Sequence, residues 1–492
     1  MSKIAIIGSG LGGLSAAGKL AKQGHKVHVY EKLDQAGGRA TRYSAEGFTF
    51  DMGPSWYMMP QVFDRWFTEM GTDREKLFKL TRLDPQYRVF FYDNDIIDVP
   101  VDIKSQHEIF EKYEPGSTKQ LEKYLYQAKY KYETALKKYL YENFTNIVQL
   151  FDLDFMLKAL LWNALGNWQG HIDHFIKHDK LQRLLLWAAI FVGGSPKNLP
   201  SLYSLMSYVD LRDGVYYPEE GFHSLVKAMQ LVDEQAGVEF HFNSPVDKIN
   251  VVKGKAQSIS VLGKDLSFDI IIANADYYFT EQILLDLEWR QNINWNKKQL
   301  SPHTYCVYLG INKEIPELIH HNYYFSERAS WDKNFEGIFG KNPSWPENPS
   351  FYISCPSKTD PHVAPKGMEN LFLLVPVAPG LDDSDKERDL LYTTLIQRLE
   401  NITRTKLSSH IVHKRIISHR DHISLYNAYK GNSLGLTQSL FQSLFFRNKM
   451  HSPKVSNLFY TGHYTQPGTG TPICVISGQI VAQEIEKYVN RS

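Results

Sequence analysis

The stretch Ile4-Ala5-Ile6-Ile7-Gly8-Ser9-Gly10-Leu11-Gly12-Gly13 decides the fold, together with its continuation to Val27-His28-Val29-Tyr30-Glu31. Four apolar residues between Lys3 and Gly8 suit a buried parallel strand. Gly8 permits a tight turn, Gly10 lets the backbone approach a diphosphate, and Gly13 lets the next helix pack close to the strand. That helix is predicted over Leu11 to Gln23, with Leu14, Ala17, Gly18 and Ala21 at helical spacing, and Gly24 stops it. Its first amides form an anion site. The second strand, Val27 to Tyr30, ends in Glu31, an acid placed to accept hydrogen bonds from a ribose. Strand, glycine loop, helix, strand and acid in this order predict a dinucleotide-binding α/β unit. The competing reading is an ordinary glycine turn beside a surface acid.

Two further segments extend the reading. Gly37-Gly38-Arg39 places a guanidinium where it can close over the same diphosphate. At the far end, Asn457-Leu458-Phe459-Tyr460-Thr461-Gly462 leads through Pro467-Gly468-Thr469-Gly470-Thr471-Pro472, a second glycine-rich strand-to-helix turn. Proline suits the first position of the helix that follows. The positive end of that helix is suited to stabilising negative charge on a bound ring. A chain built this way is expected to wrap one large cofactor between its two ends.

These motifs resemble those of the flavin amine oxidase superfamily, whose members continue the Glu-strand with Gly-Gly-Arg. Phe50-Asp51-Met52-Gly53-Pro54-Ser55-Trp56 is similar to the next family block. More narrowly, the chain resembles the bacterial phytoene desaturases of the carotenoid family. Tyr460-Thr461-Gly462, Thr465, Pro467-Gly468, Gly470, Pro472 and Ser477-Gly478 carry that likeness, as does Gly214-Val215-Tyr216-Tyr217-Pro218-Glu219 before Gly221-Phe222. The resemblance implies FAD, and with no cysteine or histidine positioned by a known attachment pattern it is expected to be held non-covalently. It assigns cofactor contact to Gly8, Gly10, Leu11, Gly13, Glu31, Lys32, Gly38, Arg39, Gly53, Ser55, Val246, Gly462, Gly470, Pro472 and Ile473, Val246 through its backbone at the adenine end. Two positions depart from the pattern. His463 stands where amine oxidases usually carry an acid, which argues against an amine substrate and leaves cofactor contact there to backbone groups. Glu220 stands where the desaturases more often have a second glycine.

Composition agrees with this reading. A chain of 492 residues holds two or three domains with ample cores. The net charge of +1 gives no electrostatic case for nucleic acid. Cys306, Cys355 and Cys474 show no CxxC pairing, which suits a reducing compartment and gives no metal or disulfide framework. The longest apolar run, residues 184–192, is about half a membrane span. The expected location is the cytoplasm, with peripheral attachment to the inner face of the cell membrane.

The organisation reads as interleaved: a Rossmann-like FAD-binding domain from residues 1–75, 220–290 and 440–492, a mixed-sheet substrate domain from 76–104 and 291–439, and a helical subdomain over 105–219. Helix is expected over Gly221 to Gln235 and strands over Val238 to Phe242 and Phe268 to Ala275. The helical part is rich in aromatics: Tyr124, Tyr126, Tyr130, Tyr132, Phe144, Phe151, Phe155, Trp162, Trp168, Phe175, Trp187 and Phe191. Most read as core. Some are expected to line an apolar tunnel or, with Lys123, Lys129, Lys131, Lys137 and Lys138, to lie on a membrane surface. His171 and His174, with Asp173 and His178 nearby, are spaced for a metal, but read better as an exposed turn of helix. No metal is expected. Ser9 and Ser477 lack a nucleophile elbow and read as structural.

The implied reaction is desaturation of phytoene toward lycopene. An allylic C–H gives hydride to the flavin and a proton leaves the neighbouring carbon. The cofactor carries the difficult step, and the protein supplies a long dry channel and charge stabilisation. No catalytic triad is needed and no catalytic side chain is assigned. With no second GxGxxG for a nicotinamide, a quinone or oxygen is the expected electron acceptor. The alternatives are desaturation of another carotenoid, such as a hydroxylated one, an amine-type oxidase, and a non-enzymatic prenyl or lipid carrier. Such carriers can lose the cofactor signatures that this chain keeps.

Overall fold

The computed structural model describes residues 1–146, 149, 157–158, 162 and 166–491. A five-stranded, all-parallel sheet forms one half of the molecule. Its order is Leu458–Tyr460, Ile270–Ala273, Lys3–Ile7, Lys26–Tyr30 and Glu239–His241. Ile4, Ile6, Val27, Val29, Ile270 and Ile272 are almost wholly buried, as a parallel sheet covered on both faces requires. Three distant stretches of chain therefore share one sheet, with the last strand joining it beside Ile270–Ala273.

Helix Leu11–Lys22 follows the first strand and packs against the C-terminal helix Thr471–Val489. Small residues make the contact close. A Cβ on Gly478 would lie 2.3 Å from the Gly12 carbonyl oxygen, and one on Gly13 would lie 2.3 Å from that of Gly8. The expected helix from Gly221 begins at His223 instead. Gly221 has φ +96°, and the Asp51 carboxylate accepts hydrogen bonds from the Phe222 and His223 amides at 2.6 and 3.0 Å. A distant acid thus serves as the cap. Burial pushes the Asp51 carboxyl up to about 6 despite those two amides. Glu220 takes φ +65°, so the position where a glycine was noted as usual is a left-handed one.

The second half is a mixed seven-stranded sheet. Its order is Ile411–Ile417, His303–Ile311, Glu369–Val377, Phe351–Ser354, His321–Phe325, Tyr87–Phe91 and Ile96–Val99. Every pair is antiparallel except His321–Phe325 with Tyr87–Phe91. Helices from the 103–213 region cover one of its faces, including Ile103–Tyr113, Ser117–Thr134, Trp168–Phe175 and Asp179–Leu186. The apolar run 184–192 is divided between the end of one helix and the short helix Ala189–Val192, and all of it but Ile190 and Phe191 is buried. No helix among the described residues is long and apolar enough to cross a membrane.

Two surface expectations are corrected here. Lys131 is 1% exposed and donates to the Ser201 carbonyl at 3.0 Å and Ser204 Oγ at 2.9 Å. It belongs to the inward face of its helix, so the outward basic residues are Lys123, Lys129, Lys137 and Lys138. His171 is likewise buried against Tyr124 and Phe175, whereas His174 is exposed, so the two do not share one solvent-facing surface. Phe151 and Phe155 lie outside the described residues.

Candidate active site

A single cavity of about 1090 Å³ joins the parallel sheet to the aromatic helices. All the residues assigned to cofactor contact line it except Gly13. Gly13 stands behind the wall, where it keeps the helix close to the Gly8 carbonyl. The glycine loop is held from behind by Asn274, whose amide donates to the Gly8 carbonyl at 3.1 Å. A Cβ on Gly10 would sit 2.9 Å from that same amide. Asn274 follows directly after strand Ile270–Ala273. Its sequence neighbours mark only a strand end, so nothing in the sequence reading singled it out.

Glu31 is buried, and its carboxylate organises the loop. Oε2 accepts from the Ser9 amide at 2.8 Å and Ser9 Oγ at 2.7 Å, and Oε1 accepts from the Leu33 amide at 2.9 Å. Lys32 donates to Asn427 Oδ1 at 2.9 Å and to the Ser424 carbonyl. Burial lowers the Lys32 ammonium from its ordinary value. Arg39 donates to the Asn432 carbonyl at 3.1 Å and lies 5.4 Å from the Tyr426 ring centre. Its Nε is buried with no partner. Ser55 donates to the Tyr352 hydroxyl at 2.9 Å. Ser477 Oγ lies 3.1 Å from the Gly462 amide, and Ser9 is tied to Glu31, so both serines are bound into the scaffold.

His463 was expected to leave contact to backbone groups. His463 lines the cavity, and its imidazole Nε2 is buried and unpartnered. Burial, with Arg39 and Arg447 nearby, holds it well below the ordinary histidine range, so the ring is neutral.

The remainder of the cavity is aromatic. Trp56 stacks on His321 at 4.5 Å between ring centres and lies 4.7 Å from Trp187. Phe144, Phe191, Tyr203 and Met206 continue the wall. Phe144, Trp187 and Phe191 are among the aromatics expected to line an apolar tunnel, whereas Trp56 comes from a distant segment and its place in this wall had no sign in the spacing. Lys131 also lines this part, its amine lowered to about 7 by burial.

Asp210 supports the aromatic wall. It is 2% exposed and accepts from the Tyr87 hydroxyl at 2.8 Å and the Trp187 indole at 3.2 Å, while Oδ1 is unpartnered. Burial pushes its carboxyl up to about 7, with the two donors opposing. Because the folded value is raised, its contribution to stability is complete below the ordinary aspartate pKa of about 4. That contribution is lost as pH rises through about 7. Asp210→Asn is therefore expected to gain stability relative to the parent protein as pH rises, by on the order of 1–3 kcal/mol between pH 5 and pH 8. Denaturant unfolding at the two pH values measures this, and an equal difference at both would refute it.

Residues 11–486 match the family of flavin containing amine oxidoreductases. The chain is 38% identical over 485 residues to the carotenoid 3,4-desaturase of Haloarcula japonica, covering 98% of this chain and 97% of that one. It is 30% identical over 492 residues to the zeta-carotene-forming phytoene desaturase of Myxococcus xanthus, covering 99% and 94%. An oxidoreductase from Methanosarcina mazei shares the fold, with a TM-score of 0.64 at 16% identity over 98% of this chain and 100% of that one. The chain belongs to the flavin containing amine oxidoreductase family and, within it, to the carotenoid desaturases. It is an FAD-dependent oxidoreductase of the type that acts on CH–CH groups. The glycine cradle, the acid ending the second strand and the unpartnered Arg39 Nε fit that cofactor.

Proposed function

We propose that this chain desaturates phytoene toward lycopene with non-covalent FAD, and that the cofactor residues assigned from the sequence hold it. One observation carries the reading: a single cavity runs from the glycine cradle into an apolar, aromatic chamber. FAD supplies the hydride acceptor. Gly8, Gly10, the helix after them and Arg39 would hold the diphosphate, and Glu31 would accept from the ribose. The positive end of helix Thr471–Val489 stabilises negative charge on the ring. Trp56, Trp187 and Phe191 exclude water and hold the chain in register. A quinone or oxygen takes the electrons.

A second reading is desaturation of a carotenoid with a polar end. Lys131, Gln438 and Gln466, which line the cavity beside its aromatic residues, favour it. Phytoene and a hydroxylated carotenoid, each in liposomes with FAD-loaded enzyme and a quinone or air, separate the two. Conversion of phytoene supports the first, and conversion of the hydroxylated compound alone replaces it with the second. Denaturation should release the flavin into solution; flavin retained by the precipitated chain would exclude non-covalent binding.

A hydrocarbon of this size resides in a bilayer, so we propose peripheral attachment at the cytoplasmic face. Besides the helical region, residues 439–447 support this. Leu440, Phe441 and Phe446 are 44%, 78% and 47% exposed, and Leu440, Ser443 and Leu444 line the cavity. Phe441→Ser with Phe446→Ser is expected to weaken liposome co-sedimentation at least about tenfold, since each buried ring contributes roughly 1.5–3 kcal/mol. Unchanged sedimentation of the double variant would remove this loop from the contact.

A further inference from the structure

The parallel pairing of Lys26–Tyr30 with Glu239–His241 sets His28 opposite Glu239 and Tyr30 opposite His241. Side chains alternate along a strand, so Glu239 and His241 share a face, and His28 meets them across the pair. His28 Nδ1 lies 3.4 Å from His241 Nε2 and 3.3 Å from Glu239 Oε2. The three ligand atoms all fall within 4.8 Å of one another. Zinc bonds of about 2.0–2.1 Å at tetrahedral angles separate neighbouring ligand atoms by about 3.3–3.4 Å. Two of the three edges here have that length.

The arrangement is poorly served by protons alone. One hydrogen on His28 Nδ1 faces a second imidazole nitrogen and a carboxylate oxygen together. A divalent cation satisfies all three acceptors at once. We propose that His28, Glu239 and His241 form a Zn²⁺ site on the edge of the parallel sheet, with a fourth position open to solvent. Two imidazoles and a carboxylate are a donor set that zinc takes readily. Glu239 is 66% exposed on its side chain and gives the ion a path in, while His28 is 15% exposed and anchored. Burial holds His28 below its ordinary value, which leaves the neutral ring that a metal needs. Lys3 on the neighbouring strand and Lys26 on the strand of His28 oppose the cation, and Glu239 offsets them. The position matters to the cofactor region. The His241 ring stacks on Tyr30 at 4.6 Å and 14°, Tyr30 lines the cavity, and the His241 carbonyl accepts from the Glu31 amide at 2.9 Å.

The test titrates ZnCl₂ into metal-stripped, FAD-loaded full-length protein by calorimetry, with MgCl₂ as control. One Zn²⁺ per chain is expected, without a Mg²⁺ response. His241→Ala and Glu239→Gln should each weaken binding by roughly 100-fold. Co²⁺ should give the visible bands of a tetrahedral N,N,O site in the parent protein, and these should vanish in His241→Ala. Glu239 is exposed, so Glu239→Gln carries the test if the histidine variant fails to fold. Absence of binding, or binding that both variants retain, overturns the site.

Discussion

Gly478→Val is expected to cost at least about 3 kcal/mol of stability and to empty the protein of FAD. Helix Thr471–Val489 crosses helix Leu11–Lys22 at this residue. A Cβ there would lie 2.3 Å from the Gly12 carbonyl oxygen, 2.6 Å from Ser15 Cβ and 2.9 Å from the Ala16 amide nitrogen. Two of those three atoms are backbone, so no side-chain rotation relieves the clash. The helices must move apart, breaking the bond from Ser15 Oγ to the Val475 carbonyl at 2.7 Å. Both helix starts line the cofactor end of the cavity, so separation widens the cradle as well. Gly478→Ala should fall between the two. Denaturant midpoints and flavin absorbance per chain measure both effects. A valine variant within about 0.5 kcal/mol of the parent, with full flavin, would show that the crossing tolerates what its geometry forbids.

Glu31→Ala should raise the FAD dissociation constant about 10- to 100-fold, with a loss of intrinsic stability besides. The sequence alone suggests only a lost ribose acceptor, with charged hydrogen bonds contributing roughly 1.5–3 kcal/mol. The fold adds a second cost. The Ser9 amide and hydroxyl lose their acceptor in a buried site, and the Leu33 amide loses its own. The glycine loop then loosens before any ligand arrives. Glu31→Gln keeps one acceptor and turns an NH₂ group toward a donor, so it should be intermediate. Fluorescence titration of the apoprotein with FAD, with unfolding of the apo form alongside, separates the two effects. If apo stability is unchanged while affinity falls, the carboxylate acts on the ligand alone. If both are unchanged, the assignment of Glu31 fails.

The glycine loop, its flanking strands and the helix from Thr471 were legible because their rules are local. Gly8, Gly10, Gly13 and Glu31 occupy fixed positions in one short unit, and Pro472 marks a helix start. Strand Ile270–Ala273 was legible for the same reason, being a short apolar run, and Glu239–His241 lies inside the expected strand Val238 to Phe242, where apolar and polar residues alternate. Lys131 was misread because a lysine among lysines on a helix looks solvated. Packing against residues 201–204, distant in the chain, turned it inward. His171 failed likewise, since Tyr124 and Phe175 cover it. The helix start at His223 depends on Asp51, about 170 residues away, which no local pattern contains. The wall of Trp56 and Trp187, with His321 stacked on Trp56, and the cluster of His28, Glu239 and His241 exist only through tertiary pairing. Strand register, which brings the latter together, cannot be read from either strand by itself.

The sheet that seats the cofactor is finished by its last strand. Leu458–Tyr460 pairs with Ile270–Ala273, which in turn flanks Lys3–Ile7. During synthesis the ribosome must therefore deliver more than four hundred residues before this sheet has its fifth strand, Leu458–Tyr460. Until then Ile270–Ala273 presents an apolar strand with an unpaired edge, the kind of surface that invites misassembly. Gly8 and Gly10 are synthesised first, whereas Gly462 and Gly470 to Ile473, which line the same cavity, follow more than four hundred residues later. Flavin retention is therefore expected to need Gly462 and Gly470 to Ile473 as much as the opening glycine loop, and chains cut before Gly462 should lose it.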